Sequence, residues 1–282
     1  MARDLNGKVI IITGASSGIG AATAVACAQA GMKVILNARR KERLARVADQ
    51  ISKLNAEAHL VPGDVIEAGM TDRLLDEAAN RFGRFDVVFA NAGYGLEKSI
   101  VDTTEAELRR IFNVNFFSSV DLLRESASRL IEQRRPGHLL MCSSCVAKFT
   151  LPYYGLYAAT KAAQNLTCRA MRLELARHNI EVASVMPIST RTEFADVVAE
   201  LSLPEGEAEQ IARHTPRRMI QSPQRVARAI VKCLRSPRPE VWTSLTTRFA
   251  AGLFTLSPSF GDLVMRRVQQ RIESARSDLA SE

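Results

Sequence analysis

Apolar positions in the first two-thirds of the chain fall into short, β-branched runs that alternate with helical patterns about fifteen residues long. The runs predict strands at Lys8–Thr13, Lys33–Asn37, Ala58–Pro62, Asp86–Ala90, His138–Cys142 and Glu181–Met186, with a weaker seventh at Glu240–Trp242. Between them the apolar spacing predicts helices at Ile19–Ala30, Lys41–Leu54, Thr71–Phe82, Glu105–Arg134, Tyr157–His178 and Pro223–Arg235. This alternation is that of repeated βαβ units. It predicts an α/β fold: a doubly wound, Rossmann-like parallel sheet of about seven strands with helices on both faces.

No linker, repeat or low-complexity stretch interrupts the pattern, so residues 1–242 read as a single domain. Residues 188–216 form a long mixed segment after the sixth strand, and a loop leaving a strand's carboxyl end borders the ligand crevice. A substrate lid is expected there. Residues 243–282 read as a C-terminal helical extension, two amphipathic patterns split at Pro258 and packed on or beside the domain. The pattern leaves three roles open for this tail: packing, a subunit contact or a membrane-surface foot.

Composition narrows the classes. A chain of 282 residues with 46% hydrophobic content can bury a large core. The five cysteines, Cys27, Cys142, Cys145, Cys168 and Cys233, are scattered through apolar runs, which predicts reduced thiols and a cytoplasmic home. Cys142 and Cys145 form a CxxC, but it ends a buried strand with no second pair, which argues against a metal or redox centre. The apolar run Val9–Ile12 is too short for a secretory or membrane-spanning segment, and no transmembrane segment is expected. The net charge is +8, but 213–272 alone hold twelve basic residues against Glu240 and Asp262, a local +10. Their helical spacing, without interleaved aromatics, predicts a solvated face, with a phosphate-rich partner or a weak membrane-surface contact as the alternative and no nucleic-acid partner expected.

The first strand runs into TGASSGIG, Thr13 to Gly20, and then into an alanine-rich helix. Gly14, Gly18 and Gly20 suit a tight turn, close backbone approach to a pyrophosphate and close packing of helix on strand. After the second strand an NAD site usually carries an acidic residue; here Ala38 is followed by Arg39 and Arg40. With no carboxylate to repel it, a 2′-phosphate finds a guanidinium fork, which predicts NADP(H) with Arg39 as the main contact.

Three tyrosines, Tyr153, Tyr154 and Tyr157, precede Lys161 in LPYYGLYAATK. A free phenol has a pKa of about 10, so proton exchange near neutrality needs a cation beside it. Only Tyr157 has Lys161 at the i+4 spacing of a shared helix face, so Tyr157 is the candidate acid/base and Lys161 is expected to lower its pKa. Tyr153 and Tyr154 are expected to shape the pocket mouth. Ser144, thirteen residues before Tyr157 at the end of the fifth strand, is placed to bind a substrate oxygen, while Ser143 should point the other way.

At these residues the chain resembles the short-chain dehydrogenase/reductase family, over about Leu5 to Trp242. The resemblance implies that Gly14, Ser16, Ser17, Gly18, Ile19 and Gly20 form the cofactor loop, and that Asp64 and Val65 of the GDV segment lie at the adenine. It further implies that Asn91, Ala92 and Gly93 steady the central sheet beside the cofactor, and that Asn115 of NVNFF completes a catalytic tetrad with Ser144, Tyr157 and Lys161 through a water near the lysine. Lys161 would also hold the nicotinamide ribose. The family's PGxxxT pattern beside the nicotinamide appears here as Pro187, Ile188, Ser189, Thr190, Arg191, Thr192, with Ile188 in place of the glycine. A branched side chain there narrows the space or shifts the loop.

The activity implied is hydride transfer from NADPH to a carbonyl, or the reverse from a secondary alcohol, with Tyr157 handling the proton. Phe149, Leu151, Tyr153, Phe194, Val198 and Leu201 predict a hydrophobic ketone, aldehyde or alcohol as the small-molecule substrate. A homodimer or homotetramer paired through the helices of Asn115 and Tyr157 is implied as well. Ile188 and the basic tail motivate a second reading, an NADP(H)-binding sensor or scaffold with little turnover.

Overall fold

Strand β1 (Val9–Thr13) is buried along its whole length, and its pleat divides it: Ile10 and Ile12 enter one core while Val9 and Ile11 enter another. A strand apolar on both faces needs cover on both, which is why a parallel sheet forms between two helical layers. The computed structural model describes residues 2–202 and 220–280. Its elements follow β1 as α1 (Gly18–Gln29), β2 (Lys33–Ala38), α2 (Lys41–Ser52), β3 (Ala58–Pro62), α3 (Met70–Phe82), β4 (Val87–Ala90) and α4 (Glu105–Phe112). Then come α5 (Ser118–Glu132), β5 (Gly137–Cys142), α6 (Gly155–Leu175), β6 (Ile180–Met186), α7 (Phe194–Ser202), α8 (Pro223–Arg235), β7 (Glu240–Trp242), α9 (Leu245–Leu256) and α10 (Pro258–Ala280).

The seven strands are parallel, in the order β3-β2-β1-β4-β5-β6-β7. Ala24 and Cys27 of α1, Leu44 and Val47 of α2, and Val226 and Ile230 of α8 close one face. Met70 and Leu74 of α3, Leu122 of α5 and Cys168 of α6 close the other. The winding reverses between β1 and β4, so their carboxyl ends, Thr13 and Ala90, border a crevice of the kind in which such sheets bind ligands.

All seven expected strands form, and two helical expectations change. The pattern at Glu105–Arg134 is not one helix: Asn113–Phe117 is a π-turn between α4 and α5, with Ser118 N–H donating to the Asn113 carbonyl. The hydroxyls of Ser118 and Ser119 take the carbonyls of Val114 and Asn115, at 2.7 and 2.9 Å, which lets the ladder widen there. The segment expected as a mixed lid contains α7; its residues 203–216 lie outside the described residues. The tail divides at Pro258 as expected, into α9 and α10, and Phe254 packs edge-on against Phe149 with ring centroids 5.5 Å apart. Among the described residues no helix is long and apolar enough to cross a membrane.

Candidate active site

The turn after β1 is built by its neighbours. Thr13 Oγ1 accepts from the N–H groups of Asn91 and Ala92, both at 3.0 Å, and Asn91 Nδ2 donates to the carbonyls of Thr13 and Gly14, at 3.0 and 3.3 Å. Asn91 thus ties the glycine loop to the end of β4. Gly18 sits at φ +55°, and a Cβ on it would lie 2.9 Å from Thr192. A Cβ on Gly20 would run into the Gly14 carbonyl. No side-chain hydrogen bond caps the N-terminus of α1 at Ser17, where Gly18 lies against Thr192 and Gly20 against Asn91.

Beside this loop the sequence reading of the arginines needs adjusting. Arg39 is 68% exposed and leans out to Asp64, 3.8 Å away. Its neighbour Arg40 turns inward: Nη2 donates to Ser16 Oγ and Ser17 Oγ, each at 3.3 Å, and to Glu193 Oε2 at 2.9 Å. Arg43, one turn on, is hydrogen-bonded to the other oxygen of Glu193. The i, i+3 spacing of Arg40, which caps the start of α2, and Arg43 within it is a signal legible in the sequence. Glu193 gave none, because it reaches them from a segment about 150 residues away. Asp64 also accepts from Ile66 N–H at 3.4 Å, and its own N–H donates to Glu67 at 2.9 Å, which shapes the turn that presents Val65.

Across the crevice, α6 begins at Gly155 and places Tyr157 in its first turn and Lys161 one turn later. Ser144, just beyond β5, has its hydroxyl beside the Tyr157 phenol, and its Oγ accepts from Val146 N–H at 3.4 Å. Ser143 does point away, donating to the Lys161 carbonyl at 2.8 Å. Lys161 is buried, and its Nζ donates to the Cys142 carbonyl at 2.7 Å.

Asn115, fully buried in the π-turn, clasps Tyr94: Oδ1 accepts from its N–H and Nδ2 donates to its carbonyl, both at 2.9 Å. Nδ2 also reaches Thr160 Oγ1 at 3.2 Å, and the Asn115 carbonyl accepts from Gln164 Nε2 as well as from Ser119. These bonds make Asn115 a brace between residues 93–94 and α6. A Cβ on Gly93 would lie 3.0 Å from Asn115 Oδ1 and 3.4 Å from Lys161 Nζ, so the three residues meet at one point.

The other tyrosines separate by what they touch. Tyr154 donates to the buried Glu97 at 2.7 Å and lies edge-on to Tyr157, while Tyr153, at φ +67°, donates to Glu273 of α10 at 3.1 Å. Only Tyr157 faces Ser144. Phe194 packs on the Tyr157 ring at 5.4 Å between centroids and Val198 is buried beside Gly95, but Leu201 is 46% exposed. Phe149 turns to the tail, against Phe254.

Burial is the main electrostatic influence. It pushes the Tyr157 phenol above its ordinary value, with the buried Cys142 thiol adding to the rise and the Ser144 hydrogen bond opposing it. Burial also brings the Lys161 ammonium down to about 8. The expectation that Lys161 lowers the Tyr157 pKa is therefore not met in this geometry: the ammonium donates to the Cys142 carbonyl, and desolvation raises the phenol's pKa. All five cysteines are free, and burial pushes the Cys145 thiol up to about 11.

After β6 the Pro187 carbonyl accepts from Cys145 N–H at 3.0 Å, and Ser189 to Arg191 pair with Gln221. This brings Thr192 over the glycine loop and leaves Ile188 half-buried behind it.

The chain is similar to known proteins over most of its length. The family described as short chain dehydrogenase matches residues 8–201. A short-chain dehydrogenase/reductase of Pestalotiopsis microspora is 35% identical over 205 residues, covering 72% of this chain and 76% of its own. Versicolorin reductase of Emericella nidulans is 33% identical over the same length and the same shares. Among solved structures, a short chain dehydrogenase/reductase of Burkholderia phymatum superposes with a TM-score of 0.82 at 23% identity, covering 92% of this chain and 96% of that one.

Proposed function

The chain belongs to the short-chain dehydrogenase family, and from that premise we propose that it is an NADPH-dependent oxidoreductase acting on a carbonyl or secondary alcohol of a hydrophobic substrate. One observation carries the reading: the Ser144 hydroxyl lies beside the Tyr157 phenol, one turn from Lys161, across the crevice from the glycine loop. Relatives named as reductases support the reductive direction.

The residues fit a dinucleotide. Gly14, Gly18 and Gly20 keep the loop open where side chains would collide, the uncapped start of α1 offers N–H groups to a pyrophosphate, and Arg40 with Ser16 and Ser17 offers donors to a 2′-phosphate. Arg39 completes that corner at its rim. Asp64 and Val65 suit the adenine, while Asn91 to Gly93, Lys161 and the segment from Pro187 to Thr192, with Ile188 and Thr190 in it, suit the nicotinamide half. When bound, the nicotinamide supplies the hydride that the carbonyl carbon receives. Tyr157 gives its phenolic proton to the substrate oxygen, and its raised pKa keeps that proton in place until the oxygen becomes basic. Ser144 holds the same oxygen by its hydroxyl and steadies charge developing on it. Lys161 ties the end of β5 to α6 beside the phenol, and Asn115 keeps Gly93 and α6 in register.

The pocket side formed by Phe194 and Val198 supports an apolar substrate. Exposed Leu166 and Leu173, two turns apart on α6, support pairing of subunits through that helix. Residues 1–242 act as the catalytic domain; in the extension, exposed Leu245, Phe249 and Leu256 beside the exposed Arg248 support a weak contact with an anionic membrane surface. The unpaired thiols support a reducing, cytoplasmic compartment. Titrating the protein with NADPH and NADH, and then following reduced-nicotinamide absorbance across apolar ketones and aldehydes, tests the reading. NADPH-selective binding with turnover supports it. Binding without turnover favours a sensor or scaffold, for which the branched Ile188 at the loop is the motive.

A further inference from the structure

Glu193 and Phe194 are consecutive, and they reach opposite ends of the crevice. Glu193 spans two arginines, Arg40 at the start of α2 through Oε2 at 2.9 Å and Arg43 within it through Oε1, while Phe194 lies on the Tyr157 ring with centroids 5.4 Å apart. The residue before them, Thr192, sits against Gly18 of the glycine loop. Two adjacent residues therefore connect the corner that reads a phosphate with the side chain that carries the proton.

We infer that Glu193 is an internal stand-in for the cofactor's 2′-phosphate, holding the seat between Arg40 and Arg43 until a 2′-phosphorylated nucleotide displaces it. The inference rests on the NADP(H) reading. Three observations point to the seat. Arg40 Nη2 is aimed at the loop hydroxyls of Ser16 and Ser17, so an anion bound there meets the guanidinium and two hydroxyls together. The carboxylate that now satisfies the arginines comes from the loop after β6, not from α2, so it is held by long-range contact alone. Arg40 and Glu193 are 43% and 39% exposed in their side chains, an ion pair weak enough for a phosphate of charge near −2 to replace.

Two consequences follow from charge. A nucleotide without the 2′-phosphate has nothing to exchange for the carboxylate, so Glu193 stays on its arginines and the segment 192–194 stays put. A 2′-phosphorylated nucleotide frees Glu193, and the freed segment carries Phe194 on the Tyr157 ring. Glu193 is thus a specificity-determining and positioning residue: it weakens NADPH binding by competition, and couples what binds at the arginines to the face of Tyr157.

The test compares wild type with Glu193→Gln, which keeps shape and removes the charge. Dissociation constants for NADPH, NADH and 2′,5′-ADP are measured at low and high salt, together with kcat on a ketone that the wild type reduces. The expected result is NADPH and 2′,5′-ADP binding about three- to tenfold more tightly in E193Q, NADH gaining less, and the gain shrinking as salt screens the pair. Glu193→Asp, one methylene shorter, should fall between. If the wild type prefers NADPH but E193Q binds it no more tightly, or both nicotinamides shift together, the inference fails while the cofactor reading stands. If the wild type shows no preference for NADPH, the cofactor reading fails first and takes the inference with it.

Discussion

Lys161 lies one helical turn beyond Tyr157, with its ammonium 5.5 Å from the centroid of the tyrosine ring and its proton directed to the Cys142 carbonyl. The pair is therefore not a simple ion-stabilised phenolate. The lysine anchors the end of β5 to α6, and the phenol keeps its proton under burial, opposed by the Ser144 hydrogen bond.

Replacing Tyr157 by Phe removes the proton donor and leaves the ring packed against Phe194. Turnover should fall by about a hundred- to ten-thousandfold, the usual share of a positioned acid, while the NADPH dissociation constant moves little. Steady-state rates together with fluorescence titration measure both, and unchanged turnover would remove Tyr157 from the chemistry.

Lys161 gives a pH signature in stability. Its folded pKa of about 8 lies below its ordinary 10.5, so below pH 8 both folded and unfolded chains are protonated and the burial penalty is felt in full. From 8 towards 10.5 the unfolded chain binds the extra proton, so the penalty lifts and stability rises with pH. Urea denaturation at pH 7.5 and 9.5 should show the wild type gaining about 2 kcal/mol relative to Lys161→Met, and a parallel response in both would refute the assignment.

Gly20→Ala drives a methyl into the Gly14 carbonyl, in a loop already held by Asn91. The backbone must shift, costing about 1–3 kcal/mol of stability and more than tenfold in NADPH affinity. Denaturation midpoints and nucleotide titration measure the two effects. Wild-type values for both would mean that the loop tolerates a side chain and does not cradle a ligand as described.

Arg40 and Arg39 predict different losses. Arg40→Ala removes the guanidinium that reaches Ser16 and Ser17 and should weaken NADPH binding by about tenfold, with NADH little affected. Arg39→Ala removes a 68% exposed side chain and should cost less. Isothermal titration of both variants ranks them, and a larger loss for Arg39 would restore it as the main phosphate contact.

Periodicity carried the architecture. The β-branched runs, the glycine triplet after β1 and the i, i+4 spacing of Tyr157 and Lys161 are local patterns, set by the pitch of a strand or helix, so they are legible one segment at a time. The turn of Ser143 away from the site was readable for the same reason, since neighbours on an extended strand point oppositely.

Other features came only from segments meeting in space. Arg40 rather than Arg39 turns inward because Ser16, Ser17 and Glu193 wait there, and Glu193 is drawn from a loop about 150 residues away. The helix through Asn115 widens into a π-turn because Ser118, Ser119 and Gln164 supply other donors to its carbonyls, an exchange no helical propensity records. Burial, likewise, reversed the expected direction of the Tyr157 pKa. Spacing along the chain chose the candidate residues; desolvation and partners from distant segments, which exist only once the core has closed, decided their charge and their contacts.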